Sequence, residues 1–487
     1  MTDDNKMIQV RNFVGGAWTT PSSAGQPVEN PATGEQFGEV RFSDEADVDE
    51  AVTAAKEAFE SWRQTPIEER LQPLFRYKQL LEEHQDEIAR GLVREHGKAL
   101  SEARGEIRRG IENVEVACGA PTMMQAGHLQ HAAPDIDETA VRKPLGVFAA
   151  ITPFNFPAMI PLWFLPYAVA TGNTFVLKPS ERNPFTPTKL VELAHEAGFP
   201  EGVVSLVHGD KTAVEALCSH DDVEGISFVG STPIARHVYE TAASHGKRVQ
   251  AQGGAKNHVI VSATADLETA VEGTVGSAFA NTGQRCLANP VAVVEDGIYD
   301  EFAERLVERA SEVVVGSGLD EETEMGPLTT RAHRENIIDA IDAGADSEAT
   351  LLLDGREADV PGDGHFLGPT IFGDVSPDSS LARDELFGPV LALVRVSDFD
   401  EALSVVNASE FGNAASLFTT SGGEAQRFRN EAEPGNLGVN VGTAAPMAFF
   451  HFGGSNASFF GDLHAQGDDA VRFYTDETIY IERWPDT

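Results

Sequence analysis

The feature that most constrains the fold is a series of short apolar strands that alternate with helical segments after Val141. Strands are expected at 146–151, 174–177, 203–207 and 226–229. Helices are expected to follow them at about 157–170, 186–195, 211–218 and 232–244. Apolar strands separated by helices are typical of a parallel sheet that helices cover on both faces. The pattern therefore predicts an α/β protein.

A second series of the same kind begins near Val259 and includes the expected strands 291–294, 390–394, 415–418 and 438–441. The chain has 487 residues, which is more than one core usually serves. Two α/β lobes are therefore expected, with covering helices between about 44 and 118. Residues 119–139 are out of phase with both lobes, and the tail at 471–482 alternates like a strand that pairs outside its own lobe.

The stretch 144–177 carries no charged residue and is long enough to cross a bilayer. Within it, Pro153, Pro157, Pro161 and Pro166 would break a spanning helix. We therefore expect a strand, a turn, a buried helix and a strand, with no membrane partner.

The charge of the chain excludes one class of function. Seventy-seven acidic residues against 36 basic ones give a formal net charge of −41, which repels nucleic acid. A salt-adapted surface and an acidic interaction face both remain open. Three widely spaced cysteines indicate a reducing compartment. Residues 1–6 lack the apolar core of a signal peptide, so a cytoplasmic location is expected, and no metal site is expected.

Cys286 is the sharpest candidate for a catalytic residue. It follows the polar loop 283–285 and stands beside Arg285, whose charge favours a nucleophilic thiolate. A free cysteine is more often a small buried apolar residue, and that interpretation fits Cys118 and Cys218, which lie in helical stripes. Asn155, at the end of a strand, offers an amide to a developing oxyanion, although it also suits a turn.

No Gly-x-Gly-x-x-Gly run marks a dinucleotide site. Gly230 and Ser231 instead stand between a strand and a helix, where backbone N–H groups bind phosphate or simply cap the helix. Lys178 and Glu181 end another strand and suit the hydroxyls of a ribose, which favours NAD over NADP, but they also suit a surface ion pair.

Five motifs occur together in this order: 153–157 (PFNFP), 178–181 (KPSE), 228–232 (FVGST), 283–286 (GQRC) and 385–389 (ELFGP). In order and spacing the chain resembles the aldehyde dehydrogenase superfamily over nearly its whole length. The resemblance implies an NAD-binding Rossmann-like domain from 1–118 and 142–254 and a catalytic domain from 255–447. It also implies a small β oligomerisation element from 119–141 and 448–487, in a homotetramer.

The resemblance further implies roles for individual residues. Cys286 would be the nucleophile, and Asn155 with the Cys286 backbone amide would form the oxyanion hole. Glu385 would hold the nicotinamide ribose. The residues expected to contact NAD are Ile151, Pro153, Phe154, Lys178, Glu181, Gly230, Ser231, Glu385 and Phe387.

One departure from the family concerns the general base. Gln252 stands where most members have a glutamate, and an amide cannot accept the proton of a hydrolytic water. A thiol acceptor depends less on such a base. Residues 254–258, 438–441, 473–475 and 109–112 are similar to the CoA-acylating methylmalonate-semialdehyde dehydrogenase branch, although 443–446 and 449–451 depart from it.

The branch resemblance implies that Arg109 and Arg285 hold a substrate carboxylate. The expected reaction is NAD-dependent oxidation of methylmalonate or malonate semialdehyde through a thioacyl Cys286. Acyl transfer to CoA with loss of carbon dioxide would give propionyl-CoA or acetyl-CoA. Alternatives are a hydrolytic NAD(P)-dependent dehydrogenase that gives a free acid, a cysteine hydrolase with His258 as base, and a non-catalytic family member.

Overall fold

The computed structural model describes residues 7–484. The first six residues, on which the expected lack of a signal peptide rests, lie outside the described residues. The strands are β1 (Ile8–Gln9), β2 (Asn12–Val14), β3 (Ala17–Thr19), β4 (Ser23–Glu29), β5 (Gln36–Phe42), β6 (His128–Ala133), β7 (Ile136–Pro144), β8 (Val147–Ile151), β9 (Thr174–Lys178), β10 (Val204–Leu206), β11 (Val223–Val229), β12 (Arg248–Gln252), β13 (His258–Val261), β14 (Val291–Glu295), β15 (Thr350–Leu353), β16 (Thr370–Gly373), β17 (Val390–Val396), β18 (Ala414–Phe418), β19 (Asn436–Val439), β20 (Phe459–Gly461) and β21 (Thr475–Glu482).

The helices are α1 (Glu45–Trp62), α2 (Ile67–Glu83), α3 (Gln85–His96), α4 (Leu100–Ala117), α5 (Ala120–Met123), α6 (Met159–Ala170), α7 (Phe185–Ala197), α8 (Lys211–Ser219), α9 (Thr232–Ser244), α10 (Leu267–Phe279), α11 (Asp296–Ser311), α12 (Arg331–Ala345), α13 (Ser380–Arg383), α14 (Phe399–Asn407), α15 (Gly422–Glu431) and α16 (Gly467–Phe473). Short 3-10 turns lie at Ala280–Gly283 and Gly355–Glu357.

The first sheet has the strand order β20-β12-β11-β8-β9-β10-β2-β3. Its five central strands, β12 to β10, are parallel, and β20 and β2 pair antiparallel at the two sides. Strands β8, β9 and β10 are buried throughout, because apolar clusters cover both faces of the sheet. The strands and helices predicted for this region are confirmed to within a few residues at each end.

The uncharged stretch 144–177 forms β8, α6 and β9, as predicted. Helix α6 is buried from Ile160 to Ala170, because it packs against α2 and α4 as well as the sheet. None of the helices between residues 7 and 484 is both long and apolar enough to cross a membrane.

The second sheet has the order β15-β16-β17-β14-β13-β18-β19 and is parallel except at β15. Two apolar clusters again cover its faces. A three-stranded antiparallel sheet, β21-β7-β6, is separate from the sheets of both lobes. A three-stranded mixed sheet, β1-β5-β4, lies near the N-terminus, with β1 parallel and β4 antiparallel to β5.

One predicted boundary needs correction. Residues 448–487 were assigned to the oligomerisation element, but β20 pairs with β12 of the first sheet and α16 packs against α6. Only β21 joins β7. Strand β20 spans three residues in a Gly- and Ser-rich segment, so no alternation of polar and apolar residues reveals the sheet to which it belongs.

Candidate active site

Cys286 follows a turn with unusual backbone angles. After α10 ends, Asn281, Thr282 and Gly283 have φ values of 52°, 57° and 71°. A β-branched residue is strained there, and the Thr282 hydroxyl donates a hydrogen bond to the Gly326 carbonyl (2.9 Å). A Cβ at position 283 would lie 2.2 Å from the Gly388 carbonyl oxygen, so only glycine fits. These constraints fix the position from which the chain presents its thiol.

The backbone around Cys286 is held from the second lobe and from the end of β8. The Cys286 carbonyl accepts hydrogen bonds from the side-chain amides of Asn257 (2.9 Å) and Asn413 (2.7 Å). The buried amide of Asn155 donates to the Gln284 carbonyl (3.0 Å). Asn155 therefore lies beside the turn of the nucleophile, with its amide bound to protein in this state.

Burial of the thiol raises the pKa of Cys286 to about 11, against the opposing effects of backbone N–H groups and Arg285. The neighbouring cation alone therefore does not produce a thiolate at neutral pH. Burial also raises the pKa of Cys118 and Cys218, which lie away from both cavities described below. Of the three cysteines, only Cys286 has backbone N–H groups against its sulfur.

A first cavity of about 460 Å³ contains Cys286, Arg109 and Arg285 in its wall. The Arg109 guanidinium donates to a Glu112 carboxylate oxygen (2.8 Å) and to the Pro446 carbonyl. Within residues 7–484, the Arg285 guanidinium has no hydrogen-bond acceptor. Both predicted arginines therefore face the same space as the thiol, and Arg285 is the one available to an anion.

A stripe of polar residues on α4 forms another wall of this cavity. Lys98, just before the helix, lies fully buried with its ammonium 2.6 Å from Glu106 and donates to the Asn155 carbonyl (2.8 Å). Glu106 also accepts from the backbone N–H of Ala158 (2.8 Å), at the start of α6. This pair connects α4, α6 and the oxyanion-hole candidate.

Sequence reasoning did not single out Lys98, Glu102 or Glu106. A signal was present, since polar residues recur at helical spacing up to Arg109. Glu102 lines the same cavity, and burial raises the pKa of its carboxyl. One of its carboxylate oxygens has no partner among the described residues.

A second cavity, of about 380 Å³, opens at the carboxyl ends of the parallel strands β8, β9 and β11 of the first sheet. The predicted cofactor residues all line it, and these are Ile151, Pro153, Phe154, Lys178, Glu181, Gly230, Ser231, Glu385 and Phe387. Asn155 lines it as well.

Two acidic residues stand at opposite parts of this second cavity. The buried Lys178 ammonium lies 3.4 Å from the partly exposed Glu181 carboxylate. Glu385 accepts a hydrogen bond from the Ala255 backbone (2.8 Å), and burial raises the pKa of its carboxyl to about 7. A Cβ at Gly254 would lie 2.3 Å from a Glu385 carboxylate oxygen. Both carboxylates can accept hydrogen bonds from hydroxyl groups.

Helix α9 begins at the wall of the second cavity. Gly230 and Ser231 line the cavity, and the Ser231 side chain forms no capping bond within the described part of the chain. The first N–H groups of a helix carry partial positive charge and bind anions. This end of α9 therefore suits a phosphate group.

Cys286 lines both cavities and is the residue at which they meet. Gln252, at the end of β12, is buried, and neither atom of its amide has a partner within residues 7–484. His258 lines a different cavity, and burial lowers its pKa to about 4. The structure therefore does not bring His258 to Cys286, as a cysteine hydrolase would require.

Comparison with known proteins agrees with this geometry. The model of the aldehyde dehydrogenase family matches residues 18–479. Malonate-semialdehyde dehydrogenase 1 of Geobacillus thermodenitrificans is 50% identical over 477 residues, which cover 98% of this chain and 99% of the relative.

Two solved structures share the whole fold. Methylmalonate-semialdehyde dehydrogenase from Oceanimonas doudoroffii is 44% identical, with a TM-score of 0.97 and 99% of both chains covered. A Sinorhizobium meliloti 1021 protein, described as a methylmalonate-semialdehyde dehydrogenase complexed with NAD, is 41% identical, with a TM-score of 0.98 and the same coverage. The chain thus has the aldehyde dehydrogenase fold and is an aldehyde-oxidising oxidoreductase, a member of the aldehyde dehydrogenase family.

Proposed function

We propose that the protein oxidises malonate semialdehyde or methylmalonate semialdehyde with NAD and transfers the acyl group to CoA. The observation that carries the proposal is the position of Cys286, where a cavity lined by two arginines meets a cavity lined by the carboxylates of Glu181 and Glu385. The names of the relatives from Geobacillus and Oceanimonas support the same substrate class.

The second cavity fits NAD. Glu181 and Glu385 would accept hydrogen bonds from the two riboses, and the start of α9 would hold the pyrophosphate. A carboxylate at Glu181 disfavours the 2′-phosphate of NADP. The relative from Sinorhizobium meliloti, whose structure contains NAD, supports this choice. Bound NAD supplies the acceptor for a hydride.

The chemistry at Cys286 follows from its surroundings. The Cys286 thiol releases its proton to solvent, its sulfur forms a bond to the aldehyde carbon, and the carbonyl oxygen becomes an oxyanion. The Asn155 amide, released from Gln284, and the Cys286 backbone N–H donate hydrogen bonds to that oxyanion. When the carbon loses its hydride, the C=O bond reforms and leaves a thioester on Cys286.

The first cavity selects the substrate. A guanidinium fork binds a carboxylate through two parallel hydrogen bonds. Arg285 has no acceptor among the described residues, and Arg109 reaches the same space from α4, so together they would hold the carboxylate of a semialdehyde. An uncharged aldehyde has no carboxylate to accept these hydrogen bonds.

The acceptor of the acyl group is CoA in this proposal, because Gln252 cannot deprotonate a water molecule. The CoA thiolate attacks the thioester carbon, and the Cys286 sulfur leaves. The substrate carboxylate lies β to the thioester carbonyl, so its C–C bond breaks to release carbon dioxide, and the electron pair forms an enolate. Protonation of the enolate carbon by water gives acetyl-CoA or propionyl-CoA.

The test is an assay in which NAD and CoA are each omitted in turn, with the acyl product identified by mass. We expect steady NADH formation only when CoA is present, with acetyl-CoA or propionyl-CoA as product. Steady turnover without CoA that gives a free acid would establish the hydrolytic alternative instead.

A substitution at Gln252 tests the reason for CoA dependence. Gln252→Glu restores a carboxylate, so we expect CoA-independent NADH formation to rise, while Gln252→Leu as the matched control leaves it unchanged. An equal rise in both variants would mean that the amide only packs, and that another group governs the access of water.

We also propose that the β21-β7-β6 sheet joins copies of the chain, as in a homotetramer. Leu129, Ile479 and Ile481 on this sheet are between 56% and 62% exposed, which is unusual for large apolar side chains on a monomer. Light scattering on the size-fractionated protein should give four chains per particle. Ile481→Asp should reduce that number, and an unchanged mass in the variant would locate the interface elsewhere.

A further inference from the structure

Three residues near the C-terminus place metal-binding atoms close together. His451 lies in the segment that follows the substrate-cavity residue Ala448, His464 lies 13 positions further along, and Asp469 lies in α16. One carboxylate oxygen of Asp469 is 3.5 Å from Nδ1 of His464 and 3.9 Å from Nδ1 of His451. The three candidate ligand atoms all lie within 4.8 Å of one another.

The ring of His464 is fixed in the orientation that a metal requires. Its Nε2 lies 3.1 Å from the Gly454 carbonyl oxygen, which only accepts, so Nε2 carries the hydrogen. In the neutral ring, the lone pair is then on Nδ1 and faces Asp469. The ring of Phe459 stacks on the imidazole with a centroid distance of 4.0 Å. A carbonyl that fixes the tautomer in this way is the usual companion of a histidine ligand.

A lone pair that faces a carboxylate oxygen is repelled unless a positive species lies between them. We propose that His451, His464 and Asp469 bind one Zn²⁺ ion or a similar divalent transition metal, with water as the fourth ligand. Two imidazole nitrogens and a carboxylate suit that class of ion better than Mg²⁺ or Ca²⁺, which prefer oxygen.

The observed distances suit this ion. Zn²⁺ holds nitrogen and oxygen ligands at about 2.0–2.1 Å, which places tetrahedral ligand atoms about 3.4 Å apart. The two distances to the Asp469 carboxylate are near this value, and the imidazole of His451 is 54% exposed and free to adjust. The net charge of −41 also raises the local concentration of cations. The proposal departs from the prediction, made from the sequence alone, that the protein has no metal site.

The proposed site would brace the wall of the substrate cavity. Between the ligands, the Phe452 backbone N–H donates to the Ala465 carbonyl (2.9 Å), and the Phe452 ring packs on Trp163 of the cavity with a centroid distance of 4.6 Å. Gln466 lines the cavity with φ of 72°, and its side-chain oxygen has no partner among the described residues. A metal that joins His451 to His464 would hold these two segments together.

The test is calorimetric titration of the metal-stripped, full-length protein with ZnCl₂. The titration uses Cys286→Ala as parent, because a reactive thiolate would otherwise bind Zn²⁺ as well. We expect one Zn²⁺ per chain, more than about tenfold weaker binding in His451→Ala and Asp469→Asn, and no heat from MgCl₂. The control is His245→Ala, which removes an exposed histidine of another surface and should bind as the parent does.

Thermal unfolding provides the second measurement. Zn²⁺ should raise the Tm of the parent and of His245→Ala but not that of His451→Ala, because only a ligand of the folded state stabilises it. Because the His451 side chain is exposed, its removal should not disturb folding. The Tm of metal-free His451→Ala, compared with that of the metal-free parent, checks this directly. Equal Zn²⁺ binding in parent and His451→Ala, or no binding to either, would overturn the proposal.

Discussion

The two cavities that meet at Cys286 are built in different ways. The second cavity, which is the cofactor side in our proposal, is lined by short contiguous segments at the carboxyl ends of neighbouring parallel strands. The substrate-side cavity takes its walls from α4, α6 and the segment after β19, which are far apart in the chain. Sheet topology alone brings the first set together, whereas the second depends on how helices pack. The comparison teaches that the residues of the second cavity lie in short sequence motifs. The residues of the first cavity instead come from distant segments that only helix packing brings together.

The largest effect is expected where the two cavities share a residue. Cys286→Ala removes the sulfur on which the acyl group is carried, so we expect NADH formation to fall by a factor on the order of 10⁴ or more. The measurement is steady-state absorbance with saturating substrates. Cys218→Ala, in the core of the first lobe, is the control and should keep its activity. Comparable rates of NADH formation in both variants would mean that Cys286 does not carry the acyl group.

A second substitution acts in the wall of the first cavity. Lys98→Met leaves the Glu106 carboxylate buried without its cation, so the free energy of unfolding should fall by about 3–5 kcal/mol. Urea denaturation measures this change. The matched control is Lys78→Met, which breaks an exposed pair with Glu82 and should change stability by less than about 1 kcal/mol.

If Lys98 also positions Asn155, the folded Lys98→Met variant should lose kcat more than it raises KM. A variant with lower stability but unchanged kcat would limit the pair to a structural role.

Substitution of an arginine in the first cavity should affect the binding of the semialdehyde but not the binding of NAD. Arg285→Ala removes a charged hydrogen-bond donor worth about 1.5–3 kcal/mol, so KM for the carboxylated semialdehyde should rise by roughly 10- to 100-fold. The KM for NAD should not change, because Arg285 lines only the substrate side. Arg90→Ala is the control and should have little effect, because the exposed Arg90 side chain pairs with Asp86 at 2.9 Å and lines neither cavity. An equal rise in the KM for the semialdehyde and in the KM for NAD would mean that Arg285 does not act on one cavity alone.

The smallest effect is expected on the cofactor side and depends on pH. Burial raises the pKa of Glu385 from 4.5 to about 7, so its contribution to stability is present at low pH and is lost as pH rises through 7. Relative to wild type, Glu385→Gln should therefore gain about 1–2 kcal/mol between pH 5 and pH 8. Urea denaturation at both values tests this, with the exposed Asp384→Asn as control. A difference independent of pH would mean that Glu385 stays ionised.

The sequence predicts the residues of the second cavity better than those of the first. The α/β lobes were predictable because buried parallel strands are apolar throughout, and the cofactor-side residues lie in short motifs at strand ends. Arg109 was reached only through family resemblance. Lys98 and Glu106 were missed, because their backbone partners Asn155 and Ala158 lie 57 and 52 positions away and only the packing of α4 on α6 brings them together.

Two further differences have physical causes. The adjacent Arg285 suggested a thiolate at Cys286, but burial outweighs one neighbouring cation, and the extent of burial is not visible in a local motif. Strand β20 was assigned to the wrong part of the molecule, because its three residues are too few to show a pattern. Both errors concern interactions between segments that are distant in the sequence.

The position of β20 has a consequence for synthesis on the ribosome. Strand β12 ends at Gln252, and its antiparallel partner β20 begins only at Phe459, more than 200 positions further along the chain. At roughly 5–20 residues per second, about 10–40 s separate their emergence. During that interval the nascent first lobe displays an unpaired strand edge, the feature on which β-sheet aggregation begins. A chain released from the ribosome during this interval would keep that edge unpaired and would be prone to aggregate.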